Sequence, residues 1–220
     1  APRVALLLPL LTPLFPLIAR LVGERREAEA LDAFRRVLGL LGLLSIPMMA
    51  LLAIYADEIA QLAFQRRRCG PECVDEIAPP LFFYAFALWP AFASLLLNRT
   101  LSAGNFQRAI LWTTVATVAI TIVLDILLLG PLEQAGLALA ATLGVYANAA
   151  MLAARLKRAF PAVPLRALAR RQARLLTAGA LAAGAALLLD RLAPTADMGS
   201  LEMLPALCAK VLAAAAVYLL

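Results

Sequence analysis

The sequence predicts an all-α, polytopic helical membrane protein, and three observations carry that prediction. The chain has 220 residues, of which 64% are hydrophobic and 15% charged, and its mean hydropathy is +0.87. A water-soluble domain of this composition would expose far more apolar surface than water tolerates. The apolar residues fall in seven continuous runs, near 4–22, 37–56, 77–97, 109–129, 135–154, 173–190 and 203–220. Each approaches the helix length that crosses a hydrocarbon core, about 20 residues for about 30 Å. Because these runs do not alternate with polar residues, a transmembrane β-barrel is excluded. The charges lie between the runs, where they set topology and meet lipid headgroups; the net +6 is not a nucleic-acid footprint.

The first run carries Pro9, Pro13 and Pro16 on one side of a helix, each deleting a backbone hydrogen bond. A bent helix is expected, either broken beside a cavity or simply tolerated, since proline is common in membrane helices. Residues 20–36 read as a polar, partly helical link with opposite charges at helical spacing, the pattern of a solvated surface helix. The second run has Pro47 near its middle and ends at Asp57-Glu58, followed by a short amphipathic piece, Ile59 to Gln65. The third run opens at Pro79-Pro80 and is dense in aromatics, including Phe82, Phe83, Tyr84, Phe86 and Trp89, which suit interfacial anchoring. Residues 98–108 read as a small polar loop.

The stretch from Thr121 to Arg158 organises the rest. Gly130 and Pro131 are expected to break a helix, glycine by a positive φ and proline by its missing N–H, and Glu133 and Gln134 mark the wet turn. A second helix starts near Ala135. Its residues Gly136, Ala140, Gly144 and Asn148 recur at a spacing of four, which puts them on one face where another backbone can approach closely. A basic link follows, Arg155 to Arg174, then an Ala/Gly-rich sixth run and a last run holding Cys208 and Lys210. Alternate links put Arg20, Arg25, Arg26, Arg35, Arg36, Arg99, Arg108 and the Arg155–Arg174 cluster on one side. The other side has only Arg3, Arg66 to Arg68 and Arg191. The positive-inside rule makes the first side cytoplasmic, so links 20–36, 98–108 and 155–174 face inward. The chain enters an apolar run at Val4 and ends inside another, with no secretory cleavage pattern, so it reads as a piece of a longer protein.

Few residues could carry chemistry. There is no histidine and only three cysteines, which argues against a metal site, a cofactor or histidine acid–base work. No Walker loop or nucleophile elbow is present, so no enzyme or ATP-driven pump is expected within this chain. Asp125 lies inside an apolar run, where a charge must face protein or water. It reads as a proton- or cation-linked carboxylate, as a substrate contact, or as an acid that reaches the interface. Lys210, Asn98, Arg99, Asn148 and Arg20 are the other polar candidates near membrane level, the arginines being suited to phosphate. Cys69 and Cys73 fall on the outer side, flank Gly70-Pro71, and are either bonded or free.

Four segments taken together carry a resemblance. Leu124 to Thr142, LDILLLGPLEQAGLALAAT, resembles the helix–turn–helix of the MviN/MurJ lipid II flippases. Phe15 to Leu38 is similar to that family's P-x-x-S-R link, Leu62 to Gln65 to its L-x-F-Q element, and Asn98-Arg99 with Ser102-Ala103-Gly104 to its R-x-x-Y-A loop. Asp125 stands where the family usually has asparagine. The resemblance implies most of the second lobe of a two-lobed flippase: family helices 8–12 in 1–158 and two additional C-terminal helices in 159–220. It implies a bacterial inner-membrane protein that moves an undecaprenyl-linked glycolipid, lipid II, by alternating access, together with the missing first lobe. A groove leading to 173–190 and 203–220 would take the lipid tail. Exporters of another polyprenyl-linked glycan, cation-coupled exporters of the same superfamily and a non-transporting scaffold are the alternatives.

Overall fold

The computed structural model describes residues 27–64, 71–161 and 163–192, and every regular element among them is an α-helix. They are α1 (Glu27–Ile54), α2 (Ala56–Phe64), α3 (Pro71–Ala85), α4 (Leu88–Ala103), α5 (Gln107–Ala159) and α6 (Leu165–Leu192). Pro9, Pro13, Pro16, Arg20, Cys69, Cys208 and Lys210, and the side chain of Cys73, lie outside the described residues.

α1 takes in much of the expected polar link. Charged residues 27–36 are the first turns of the same helix that continues into the apolar run, with Arg36 donating to Asp32 one turn earlier at 2.8 Å. No break signal separates the two parts, so good helix formers propagate one helix through both. Pro47 sits inside it.

The third run does not open at Pro79-Pro80. Both prolines lie within α3, and the chain bends by 45° after Ala85. The cause is Pro90, which has no N–H to give to the carbonyl four residues back, that of Phe86. The chain responds with tight turns: Phe86 N–H donates to Phe83 and Ala87 N–H to Tyr84. The Thr142 hydroxyl of α5 donates to the Phe83 carbonyl at 2.9 Å and ties the bend to the neighbouring helix.

The expected loop 98–108 shrinks to three residues. α4 runs on through Asn98 and Arg99 to Ala103. Asn105 then takes the left-handed conformation, φ 62. Phe106 N–H donates to the Leu101 carbonyl and Asn105 N–H to that of Ser102. This pairing closes a helix C-terminus on a left-handed residue, a conformation asparagine adopts more readily than most. The basic link between α5 and α6 is also short. It holds Phe160 to Pro164, so Arg155, Lys157 and Arg158 end one helix, and Arg166, Arg170, Arg171 and Arg174 begin the next. Phe106 and Phe160 meet edge to face at 5.9 Å and join the two connections.

The core lies where α1, α4, the second half of α5 and α6 meet: Phe34, Val37, Leu38 and Leu41 against Leu96, Leu97, Leu101, Leu152, Leu156 and Leu168. α6 packs closely on α1 because α1 offers glycines there. A methyl at Gly39 would meet the Arg171 guanidinium at 2.8 Å, and one at Gly42 would collide with the Gln172 amide oxygen.

Gln172 is 4% exposed and joins three helices. Its amide nitrogen donates to the Leu38 carbonyl at 3.1 Å, and its oxygen accepts from Trp89 Nε1–H at 3.2 Å. Gln172→Leu strands a buried indole N–H, at an expected cost of about 1–3 kcal/mol in unfolding free energy. Adding Trp89→Phe removes the orphaned donor and should return part of that loss. A double-mutant cycle by reversible unfolding in detergent checks it, and strictly additive effects would refute the coupling.

Candidate functional site

The site is the seam inside α5. Although its hydrogen bonding is nearly continuous, α5 is two helices folded back on each other at Glu133, whose φ of 49 and ψ of −125 are not helical. We call them the first arm (107–132) and the second arm (134–159). The reversal falls inside the expected Gly130–Gln134 turn, at Glu133 and not at the two breakers: no glycine among the described residues has positive φ, and Pro131 lies within the last turn of the first arm. Proline still contributes, because it weakens the turn in which the reversal occurs. Glu133 takes the strained conformation at the wet end of the hairpin.

Close approaches fix how the arms face each other. A methyl on Gly136 would strike the Leu128 carbonyl, and one on Gly144 would strike the Thr121 hydroxyl. The Thr117 hydroxyl lies 3.2 Å from Asn148 Oδ1. Stepping down one arm therefore steps up the other, an antiparallel pair in a single register. The expected small-residue face is the one used: Gly136, Ala140 and Gly144 are buried, and Asn148 is half-buried. Helices in lipid gain little from hydrophobicity between them, so this close backbone packing holds the hairpin together.

The first arm contributes a polar stripe at the same spacing of four: Thr113, Thr117, Thr121 and Asp125. Thr113 and Thr117 satisfy their hydroxyls on the Ala109 and Thr113 carbonyls, at 2.8 and 2.9 Å. Thr117 has one proton and gives it to Thr113. With the Asn148 amide turned so that Nδ2 faces it, the amide donates to the Thr117 oxygen and both contacts are satisfied. Register places Asp125 opposite Ala140. Asp125 is half-buried, and no hydrogen bond or ion pair engages it among the described residues.

The other candidates are dispersed. Arg99 is exposed near the end of α4. Asn98 beside it is half-buried, and its Oδ1 is shielded without a hydrogen-bond partner, as are the hydroxyls of Ser45 and Ser94. The structure thus brings together Asp125 and Asn148 along one seam and leaves Asn98 and Arg99 apart from it. It adds a feature that sequence reading missed. A cavity of about 350 Å³ lies beside α6, between Phe34, Leu38, Trp89, Leu97, Tyr146, Ala150, Ala153, Leu168, Gln172 and Leu176. The signal for it was the alanine density of 147–154, which leaves space unfilled.

Long apolar helices, a bend of 45° held by an interhelical hydroxyl, and a tightly packed helical hairpin define a polytopic helical membrane protein. Within that class, the chain belongs to the MurJ lipid II flippase family, whose family model matches residues 4–206. Among solved structures it is similar to a lipid II flippase MurJ in an inward closed conformation, with a TM-score of 0.72 and 16% sequence identity. That likeness covers 94% of this chain and 41% of the other, so the chain spans less than half the length of the protein it matches. At this identity the likeness establishes the fold. Comparison with curated proteins finds no match.

Proposed function

We propose that this protein, as part of a longer chain, flips the lipid-linked peptidoglycan precursor lipid II across a bacterial cytoplasmic membrane by alternating access. The observation that carries the reading is the family match across nearly the whole chain, together with the shared fold. Residues 1–158 would supply second-lobe helices and 159–220 the two additional C-terminal helices. Links 20–36, 98–108 and 155–174 would be cytoplasmic by the positive-inside rule, and the Glu133 turn would face outside. No bond of the substrate is made or broken. The work is binding a headgroup and exchanging access to it.

Three features support a role for these residues. Asp125 is a carboxylate in a helix seam, unpaired among the described residues and placed to link a cation or proton to rearrangement of the arms. The alanine-lined cavity beside α6 is apolar enough for part of an isoprenoid chain. Arg20, Arg99 and Lys210 would offer cations to phosphate. Between Glu76 and Asp190 the sequence has no acids except Asp125 and Glu133, too few within that stretch for the multi-acid cavity a small-cation exporter would use.

The test is lipid II accessibility on the outer face of cells that rely on the full-length protein. Depletion should abolish externalised lipid II while its inner-face pool accumulates. If lipid II reached the outer face equally well without the protein, the substrate would be another lipid-linked glycan or the chain would be a scaffold.

A further inference from the structure

The basic end of α5 carries a groove that flipping does not require. Two adjoining depressions of about 470 and about 210 Å³ share Trp112 and Arg155. The first is lined by Phe106, Ala109 and Trp112, with Gln107 and Arg108 at its edge. The second runs along the hairpin past Ala116 and Met151, with Arg158 at its rim. Together they form one groove that sets Arg108, Arg155 and Arg158 beside Trp112, Ala116 and Met151.

The cations in it are available. Arg108, Arg155 and Arg158 are exposed, and no ion pair engages them among the described residues. The acids nearest in sequence, Asp125 and Glu133, sit towards the opposite end of the hairpin. Trp112, 64% exposed, lies between the two depressions. An indole prefers the headgroup level of a bilayer, with its ring in the acyl region and its N–H towards water. Beyond it the same arm presents Val115, Ile122 and Ile126, all exposed. This apolar stripe matches bilayer hydrocarbon.

We propose that this groove seats an anionic glycerophospholipid of the leaflet at the basic end. Its phosphate lies among Arg108, Arg155 and Arg158, and its acyl chain runs along Ala116 and Met151. Forked guanidinium donors match phosphate oxygens in pairs. The occupant is a resident bilayer lipid rather than the transported one, because the groove opens on the same side as the exposed apolar stripe. The inference requires that α5 span a bilayer and does not depend on the flippase reading.

The experiment uses the full-length protein in vesicles, with every tryptophan except Trp112 changed to phenylalanine. Indole fluorescence is quenched with phosphatidylglycerol or phosphatidylcholine brominated on an acyl chain. Half-quenching is expected at about a tenfold lower mole fraction of the phosphatidylglycerol, the scale of a few arginine–phosphate contacts. The R108Q/R155Q/R158Q variant should abolish the difference between the two lipids. The R166Q/R170Q/R174Q variant removes the same charge from α6 and should keep it. Equal quenching of the parent by both lipids would overturn the proposal, as would a preference retained by the first variant or lost equally in both. Absence of quenching by either lipid would overturn it too, because another segment of the protein would then cover Trp112.

Discussion

Alanine at Gly136 should unfold the α5 hairpin more than any other single methyl in it. The added carbon meets the Leu128 carbonyl, a backbone group with no rotamer to yield. Relief requires the arms to part, which forfeits packing along their whole length; the expected loss is about 2–3 kcal/mol. At Gly144 the obstacle is the Thr121 hydroxyl, a side-chain atom. Gly144→Ala alone should cost about 1–2 kcal/mol, and Thr121→Ala in the same protein should restore most of it. The expected coupling between the two changes is about 1 kcal/mol, the range found for residues in contact. Gly130→Ala is the control. Nothing lies within 4 Å of a methyl there, so it should be neutral or stabilise by up to about 1 kcal/mol through helix propensity. Reversible unfolding of the full-length protein in mixed micelles reads these variants and Thr121→Ala alone, which closes the cycle. Wild-type stability in Gly136→Ala would mean that the arms do not meet at this point.

The same glycines show what the sequence makes legible. Small residues at a spacing of four announce a close helix contact, and Gly136, Ala140 and Gly144 are buried in one. The period survives folding because helix geometry converts spacing directly into a face. Break positions were less legible. The turn over Gly130–Gln134 holds the reversal, but at Glu133 and not at the breakers Gly130 and Pro131, because where a chain reverses depends on how far the first arm can run before the second must dock. Pro79-Pro80 looks like a start, yet the bend follows Ala85, where Pro90 and the Thr142 hydroxyl act together across 52 residues of sequence. Gln172 was hidden for a similar reason. Among arginines it reads as one more polar residue, and only the glycines of α1 bring Leu38 and Trp89 within its reach. Connections were overestimated because polarity was read as loop. Asn98 and Arg99 lie within the last two turns of one helix and the Arg155–Arg174 residues at the ends of two others, and polar residues there do not stop a helix.

The largest functional effect is expected at Asp125. A carboxylate near membrane level costs a few kcal/mol, about 2.5–3.5 at a helix centre and less towards an end. Asp125 lies about two turns before the Glu133 reversal, so its cost is partial but not zero. No cation offsets it among the described residues. Around it the seam is built from threonines that satisfy themselves on their own backbone, and from small residues. An asparagine would fit there with the same shape and no charge. If the charge serves transport, Asp125→Asn should leave stability unchanged or raised and lower outer-face lipid II at least about tenfold, a change of about 1.4 kcal/mol or more in the coupled step. Asp125→Glu should retain part of the activity, because it keeps the charge and moves it by one methylene. The readout is lipid II accessibility in cells whose only flippase is the full-length variant, normalised to its amount in the membrane. Wild-type accessibility in Asp125→Asn would show that the carboxylate merely reaches water at the interface. Loss of activity in both variants with normal stability would point to a contact that requires the exact length of aspartate, such as a bound cation, more than to proton carriage. In that case the activity of the wild-type protein, unlike that of the asparagine variant, should depend on the cation supplied.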